Sequence, residues 1–125
     1  MFQTLHIFQM SGAMAAHAGS RQTITAQNIA NADTPGYQAK TVQSFRDVIS
    51  NTNVQIRGSR DSHMGVETPP SSINLETNKA EIDPNGNSVS LENEMVSAVE
   101  SVRQHEQALA IYRHGLTVLR TSLGR

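Results

Sequence analysis

Between Asn51 and Asn87 the chain offers only eight apolar residues, Val54, Ile56, Met64, Val66, Ile73, Leu75, Ala80 and Ile82. A stretch so poor in apolar side chains cannot bury enough surface to offset the entropy of ordering it. Whatever core this chain builds must come from the residues on either side. The 125 residues divide accordingly into an N-terminal helical segment (1–33), a turn with a loop-rich middle (34–87) and a C-terminal helical segment (88–125).

The N-terminal segment is apolar or small without being strongly hydrophobic. From Leu5 to Ala32 it carries one formal charge, Arg21, and no proline. Leu5, Phe8, Gly12, Ala15, Gly19, Ala26 and Ala30 recur in steps of three, four and seven, which places them on one face of a helix. Ile7, Met10, Met14, Ala18 and Ile24 form a second stripe. Two weakly apolar faces predict contact on more than one side. Gly12, Ala15, Ala16 and Gly19 allow another backbone to approach closely, while Gly12 and Gly19 each cost the helix roughly 1 kcal/mol relative to Ala. Pro35 disfavours helical geometry at Thr34 and Gly36 follows as a turn residue, so the helix must stop near Asp33. Asn28 and Asn31 flank that end, where amide side chains can bond freed backbone groups.

The C-terminal helix is announced by Asp83-Pro84-Asn85-Gly86-Asn87, a strong turn signal. Ser90 suits an N-cap, Glu92 and Glu94 suit the positive end of the helix dipole, and Arg113, Arg120 and Arg125 suit the opposite end. Met95, Val99, Val102, Leu109, Tyr112, Leu116, Leu119 and Leu123 form an expected packing seam, with Glu106 filling one position and a short step from Leu109 to Tyr112. Two helices of about 40 and 50 Å are expected, long enough to suggest a coiled coil or bundle. Between them, Gln43 to Ile49 suits a short helix through Phe45, Val48 and Ile49, and Val54/Ile56 and Ile73/Leu75 alternate as strands do. The fold class is therefore mainly α, with terminal helices paired and minor β structure between them.

Composition narrows the function. Leu, Ile, Val and Phe number 27, and 12 of the 46 hydrophobic residues are Ala, so any core is thin and contact between subunits would add to it. A net charge of −1 argues against electrostatic capture of nucleic acid. No run reaches the 18 or so apolar residues of a membrane span, and Met1 to Met10 lacks the pattern of a cleavable signal peptide. Cysteine is absent, which removes disulfides and thiolate metal sites. His6 and His17 are eleven apart, and His105 and His114 nine apart, neither being the i, i+4 pair of a helical zinc site; His63 has no partner cluster. Glu92, Glu94, Glu100 and Glu106 read as dipole complement and solvated face, and no phosphate loop or nucleophile elbow is present. No cofactor, metal or small-molecule substrate is expected, nor an enzyme.

One stretch exceeds what ending a helix requires. Asn28-Ile29-Ala30-Asn31-Ala32-Asp33-Thr34-Pro35-Gly36-Tyr37, followed by Gln38-Ala39-Lys40, resembles the N-terminal signature of the bacterial flagellar axial proteins, the rod and hook family. Within the family it is most similar to the short proximal-rod members. Gly86-Asn87, Val89, Leu91, Glu94 and Met95 extend the resemblance into the C-terminal half. The resemblance implies an assembly motif at Asn28, Ala30, Asn31, Asp33, Thr34, Pro35, Gly36 and Tyr37, and terminal helices that pack in a tubular structure. It further implies contacts with copies of the same chain, FlgC-like rod proteins, the rod-base adaptor FliE and the MS-ring protein. Passage through the flagellar type III export apparatus to a periplasmic rod, without a cleavable signal, is implied as well. Another short rod protein, a peptidoglycan-active enzyme and a generic helical secretion adaptor are the alternatives.

Overall fold

A computed structural model describes residues 2–52, 75–77 and 82–124, with side chains for 6–50 and 82–124. Within these residues the order is α1 (Phe2–Ala30), β1 (Lys40–Val42), α2 (Phe45–Thr52), β2 (Leu75–Thr77) and α3 (Leu91–Ser122). The two long helices are the expected ones. At 1.5 Å per residue they run about 43 and 48 Å.

They lie antiparallel along each other. Phe8 meets Tyr112 edge-on, with ring centroids 5.1 Å apart. Further along α1, Arg21 donates to Gln104 Oε1 at 3.0 Å and pairs with Glu100 at 3.6 Å. Further still, Asn28 reaches Glu94. Each advance along α1 is matched by a retreat along α3.

The contact itself is small and polar. Ser11, Ala18 and Thr25 are buried on α1 and spaced by seven; Glu94, Ser101 and Ala108 are buried on α3 at the same spacing, with half-buried Gly115 continuing it. A repeat of seven keeps one seam facing a partner helix, as in a coiled coil. The two buried serine hydroxyls are satisfied within their own helices, Ser11 donating to Phe8 O at 3.1 Å and Ser101 to Ala98 O at 2.8 Å. Such narrow side chains let the backbones come close. Gly115 is a point of close approach, since a Cβ there would lie 3.1 Å from the Phe8 ring.

The residues of the expected packing seam differ in burial within the chain. Met95, Val99 and Val102 are exposed on the flank of α3, whereas Leu109, Leu116 and Leu119 are half-buried near the helix contact. The short step from Leu109 to Tyr112 re-registers only Tyr112 and Leu119, which fall four residues after Ala108 and Gly115, whereas Leu109 and Leu116 keep the spacing of seven from Met95 and Val102. Leu123, the C-cap, is exposed. On α1 burial is uneven as well. Gly12 is exposed, neither Gly12 nor Gly19 has an atom within 4 Å of a notional Cβ, and Ala15 is half-buried. Phe8 of the first stripe packs on Tyr112, and Ala18 of the second is fully buried. The Leu5 side chain lies outside the described residues.

The short elements dock on α1. β1 pairs antiparallel with β2, Lys40 opposite Thr77, Thr41 opposite Glu76 and Val42 opposite Leu75. A strand was expected around Leu75 but not at Lys40–Val42, where Lys-Thr-Val gives little alternation. His17, buried on α1, donates from Nε2 to Gln43 O at 2.9 Å and tilts against the Phe45 ring at 5.4 Å. α2 begins close to its expected position. The expected strand at Val54 and Ile56 falls outside the described residues, as does His63.

Candidate assembly site

The end of α1 is built by its own sequence first. Asn31 donates from its side chain to Gln27 O at 2.7 Å, and its backbone N–H bonds Gln27 O and Asn28 O. Tyr37 N–H then donates to Thr34 O at 3.3 Å, closing a turn with Pro35 second and Gly36 third. Gly36 has φ +74°, the left-handed value a type II turn needs at its third position.

A second turn sits against the first. Gly86 N–H donates to Asp83 O at 2.8 Å across Pro84-Asn85, and among the described residues only glycines take positive φ. Asn85 therefore stays right-handed and the turn is of type I, with left-handed Gly86 (φ +80°) turning the chain back so that Asp83 N–H meets Asn87 O at 2.8 Å. Gly36 N–H donates to Asn85 O at 3.1 Å, Ser88 N–H to Tyr37 O at 3.0 Å, and Ala39 N–H to Ser88 Oγ at 2.8 Å. A Cβ on Gly86 would rest 3.4 Å from Gly36 Cα.

Two asparagines, each 1% exposed, tie the turns to the helices. Asn28 donates from Nδ2 to Lys40 O (2.7 Å) and Glu94 Oε1 (2.9 Å), and its Oδ1 accepts from Lys40 N–H (3.1 Å) and the Tyr37 hydroxyl (3.4 Å). All the polar capacity of that amide is used. Asn87 donates to the carbonyls of Asn31, Ala32 and Thr34 at 3.0, 2.6 and 3.0 Å, while its Oδ1 accepts from Val89 N–H at 2.8 Å. Three carbonyls around one atom fix which end of the amide is nitrogen.

The sequence motif is thus divided by burial. Asn28 is buried, Asn31 and Tyr37 are half-buried, and Ala30, Asp33, Thr34, Pro35 and Gly36 are exposed. Asn28 does not cap its own helix, as its position suggested; it bridges α1, β1 and α3. By sequence Asn87 is a turn residue and Glu94 a dipole complement; in the structure both are also buried partners of the motif. The signal for Glu94 is its register, seven before Ser101 and fourteen before Ala108. Among the described residues no group of three or more His, Asp or Glu side chains could hold a metal ion, and no helix is long and apolar enough to cross a membrane.

Comparison with known proteins gives the same direction from an independent source. Residues 8–38, which span most of α1 and the whole Pro-Gly turn, match the family model described as flagella basal body rod protein. The chain is also similar to the flagellar basal body rod protein FlgB of Agrobacterium fabrum (strain C58 / ATCC 33970), 34% identical over 110 residues that cover 83% of this chain and 82% of the relative. An exposed Pro-Gly turn seated on an antiparallel helix pair, and a relative matched along both, fit one conclusion: the chain belongs to the FlgB family of flagellar basal body rod proteins, as a structural component of the rod that associates with other rod proteins.

Proposed function

We propose that the chain is a packing subunit of the proximal rod, seating its two helices against copies of itself and FlgC-like rod proteins and passing torque along them. The observation that carries this reading is the outward flank of α3. Met95, Val99 and Val102 are 57, 60 and 47% exposed, while the residues of α3 buried against the fold are Glu94, Ser101 and Ala108. Full burial of a side chain of that size contributes about 1.5–3 kcal/mol. A neighbouring subunit that covers the flank supplies the apolar burial the isolated chain lacks. A flank of α1 that carries Gly12 and Gly19 offers a second, uncharged surface.

In this reading 1–33 and 88–125 are the two strands of one axial-core unit, and 34–87 carries the motif and the middle segment. Ala30, Asp33, Thr34, Pro35 and Gly36 are the outward part of the motif that a neighbour touches; Asn28, Asn31 and Tyr37 hold its shape. At the base of the rod the neighbours are the adaptor FliE and the MS-ring protein, reached through the flagellar type III export apparatus. The work is mechanical and not catalytic, consistent with His17 and Glu94 being engaged in bonds that hold the fold.

The reading is tested by replacing Val99 with Asp in a strain that depends on this chain for swimming. A charge on an exposed flank leaves the monomer within about 0.5 kcal/mol of its stability. Normal expression with loss of swimming and of incorporation into basal bodies is the expected result. Undiminished swimming would sink it.

A further inference from the structure

Where the chain leaves α1, the carbonyls of Asn31, Ala32 and Thr34 converge on one buried point. Carbonyls drawn onto a buried side chain need donors, and Pro35 has no N–H to offer. Thr34 N–H donates to Asn31 O and Tyr37 N–H to Thr34 O, and the donor that reaches all three is Asn87, which lies 56, 55 and 53 residues further along the chain from them. Its amide has two hydrogens for three oxygens, so at least one hydrogen is shared. Asn87 is itself seated by the second turn, its N–H donating to Asn85 Oδ1 at 2.9 Å and its carbonyl accepting from Asp83 N–H. The remaining bonds that shape the Pro35-Gly36 turn cross in the same way, Gly36 N–H to Asn85 O and Ser88 N–H to Tyr37 O. Local bonds reach only as far as Asn31, Ala32, Thr34 and Tyr37 N–H.

We propose that Asn87 gates the assembly motif: Thr34 to Tyr37 take their folded shape only when the C-terminal half has docked on α1. In an open chain the converging carbonyls turn to water, the exit turn loosens and Gly36 loses the carbonyl that holds it. A neighbour that grips the motif then distinguishes docked chains from open ones. That last consequence rests on the motif being an assembly contact; the gating does not, and the experiment reads the gating alone.

The experiment is amide hydrogen exchange on the full chain, comparing the unaltered protein with Asn87→Ala, Asn87→Asp and, as a local control, Asn31→Ala. In the unaltered chain the amides of Thr34, Gly36, Tyr37 and Ala39 are expected to be protected. Asn87→Ala should lower protection there by about tenfold or more, with residues 98–110 of α3 nearly unchanged. Asn87→Asp should lower it further, because a carboxylate cannot donate and would face three carbonyl oxygens. Asn31→Ala, which removes only the side-chain bond to Gln27 O and the Thr34 hydroxyl's acceptor, should lower it less than Asn87→Ala. If Asn87→Ala does not fold, Asn85→Ala releases only the seat of Asn87 and should lower protection at Thr34 and Tyr37 by a smaller factor. The proposal is overturned if these amides are unprotected in the unaltered chain. Unchanged protection in Asn87→Ala (or in Asn85→Ala, if that is the variant that folds) overturns it too, as does an equal loss along the whole of α3.

Discussion

Asn28 and Glu94, 66 residues apart in the sequence, share a buried hydrogen bond of 2.9 Å, the asparagine Nδ2 donating to the Glu94 carboxylate. The bond crosses the two halves of the chain beside β1, because the same Nδ2 also donates to Lys40 O. A buried carboxylate is tolerable only with such a partner. Asn28→Asp removes both donors and sets a second carboxylate against Glu94, so it is expected to destabilise the chain by about 2–4 kcal/mol. Adding Glu94→Gln supplies an amide that can donate to the introduced carboxylate, and should recover a large part of the loss. A double-mutant cycle by denaturant unfolding measures the coupling; additive effects would show that the two side chains do not interact.

The two left-handed glycines are expected to respond differently to asparagine. Gly36→Ala and Gly86→Ala each force a Cβ into left-handed backbone, at a cost of about 1–2 kcal/mol. Asparagine tolerates that conformation, and at Gly36 nothing lies within 4 Å of the added Cβ. Gly36→Asn should therefore recover much of the alanine penalty. At Gly86 the Cβ already rests on the Gly36 backbone, and Gly86→Asn should recover less. Chemical denaturation of the four variants checks the order.

The helices and their ends were legible in the sequence because their signals are local. Pro35, the Asp83–Asn87 turn and Ser90 each act within a few residues, and the Ser90 side chain does accept from Asn93 N–H at 3.5 Å. The face each helix turns inward was not legible. Hydrophobicity is the usual guide to that face, and here the most buried positions are small or polar, Ser11, Ala18, Ser101 and Ala108 with Asn28 and Glu94 at one end. Small residues at spacings of seven carry that information, but only after one stops following the larger side chains. Asn87 was hidden for a different reason: its partners are carbonyls, which every residue has, so its own sequence neighbourhood cannot say which ones it serves.

Ser90 contributes less than an ideal cap. A 3.5 Å bond is at the long limit for N–H to oxygen, and its hydroxyl is also 3.3 Å from Glu92 Oε2. Ser90→Ala is expected to cost about 0.5–1 kcal/mol, the lower part of the usual range for losing an N-cap. Ser90→Asp, with a charge at the positive end of the dipole but beside Glu92, should be close to neutral. Thermal unfolding resolves the two.

Gly12 and Gly19 separate stability of the chain from its use. Both lie in the interior of α1, where glycine costs roughly 1 kcal/mol relative to alanine, and in both cases a Cβ would meet nothing within 4 Å. Among the described residues there is no packing reason for either. Gly12→Ala and Gly19→Ala should each stabilise the free chain by about 0.5–1 kcal/mol and raise its helix content, measured by circular dichroism and thermal unfolding. If the outer face of α1 seats a neighbouring backbone, the same methyl groups stand in the way of that approach, and the double variant should swim poorly despite being the more stable protein. A double variant that is both more stable and fully motile would place the subunit contact elsewhere, on the Met95–Val99–Val102 flank of α3.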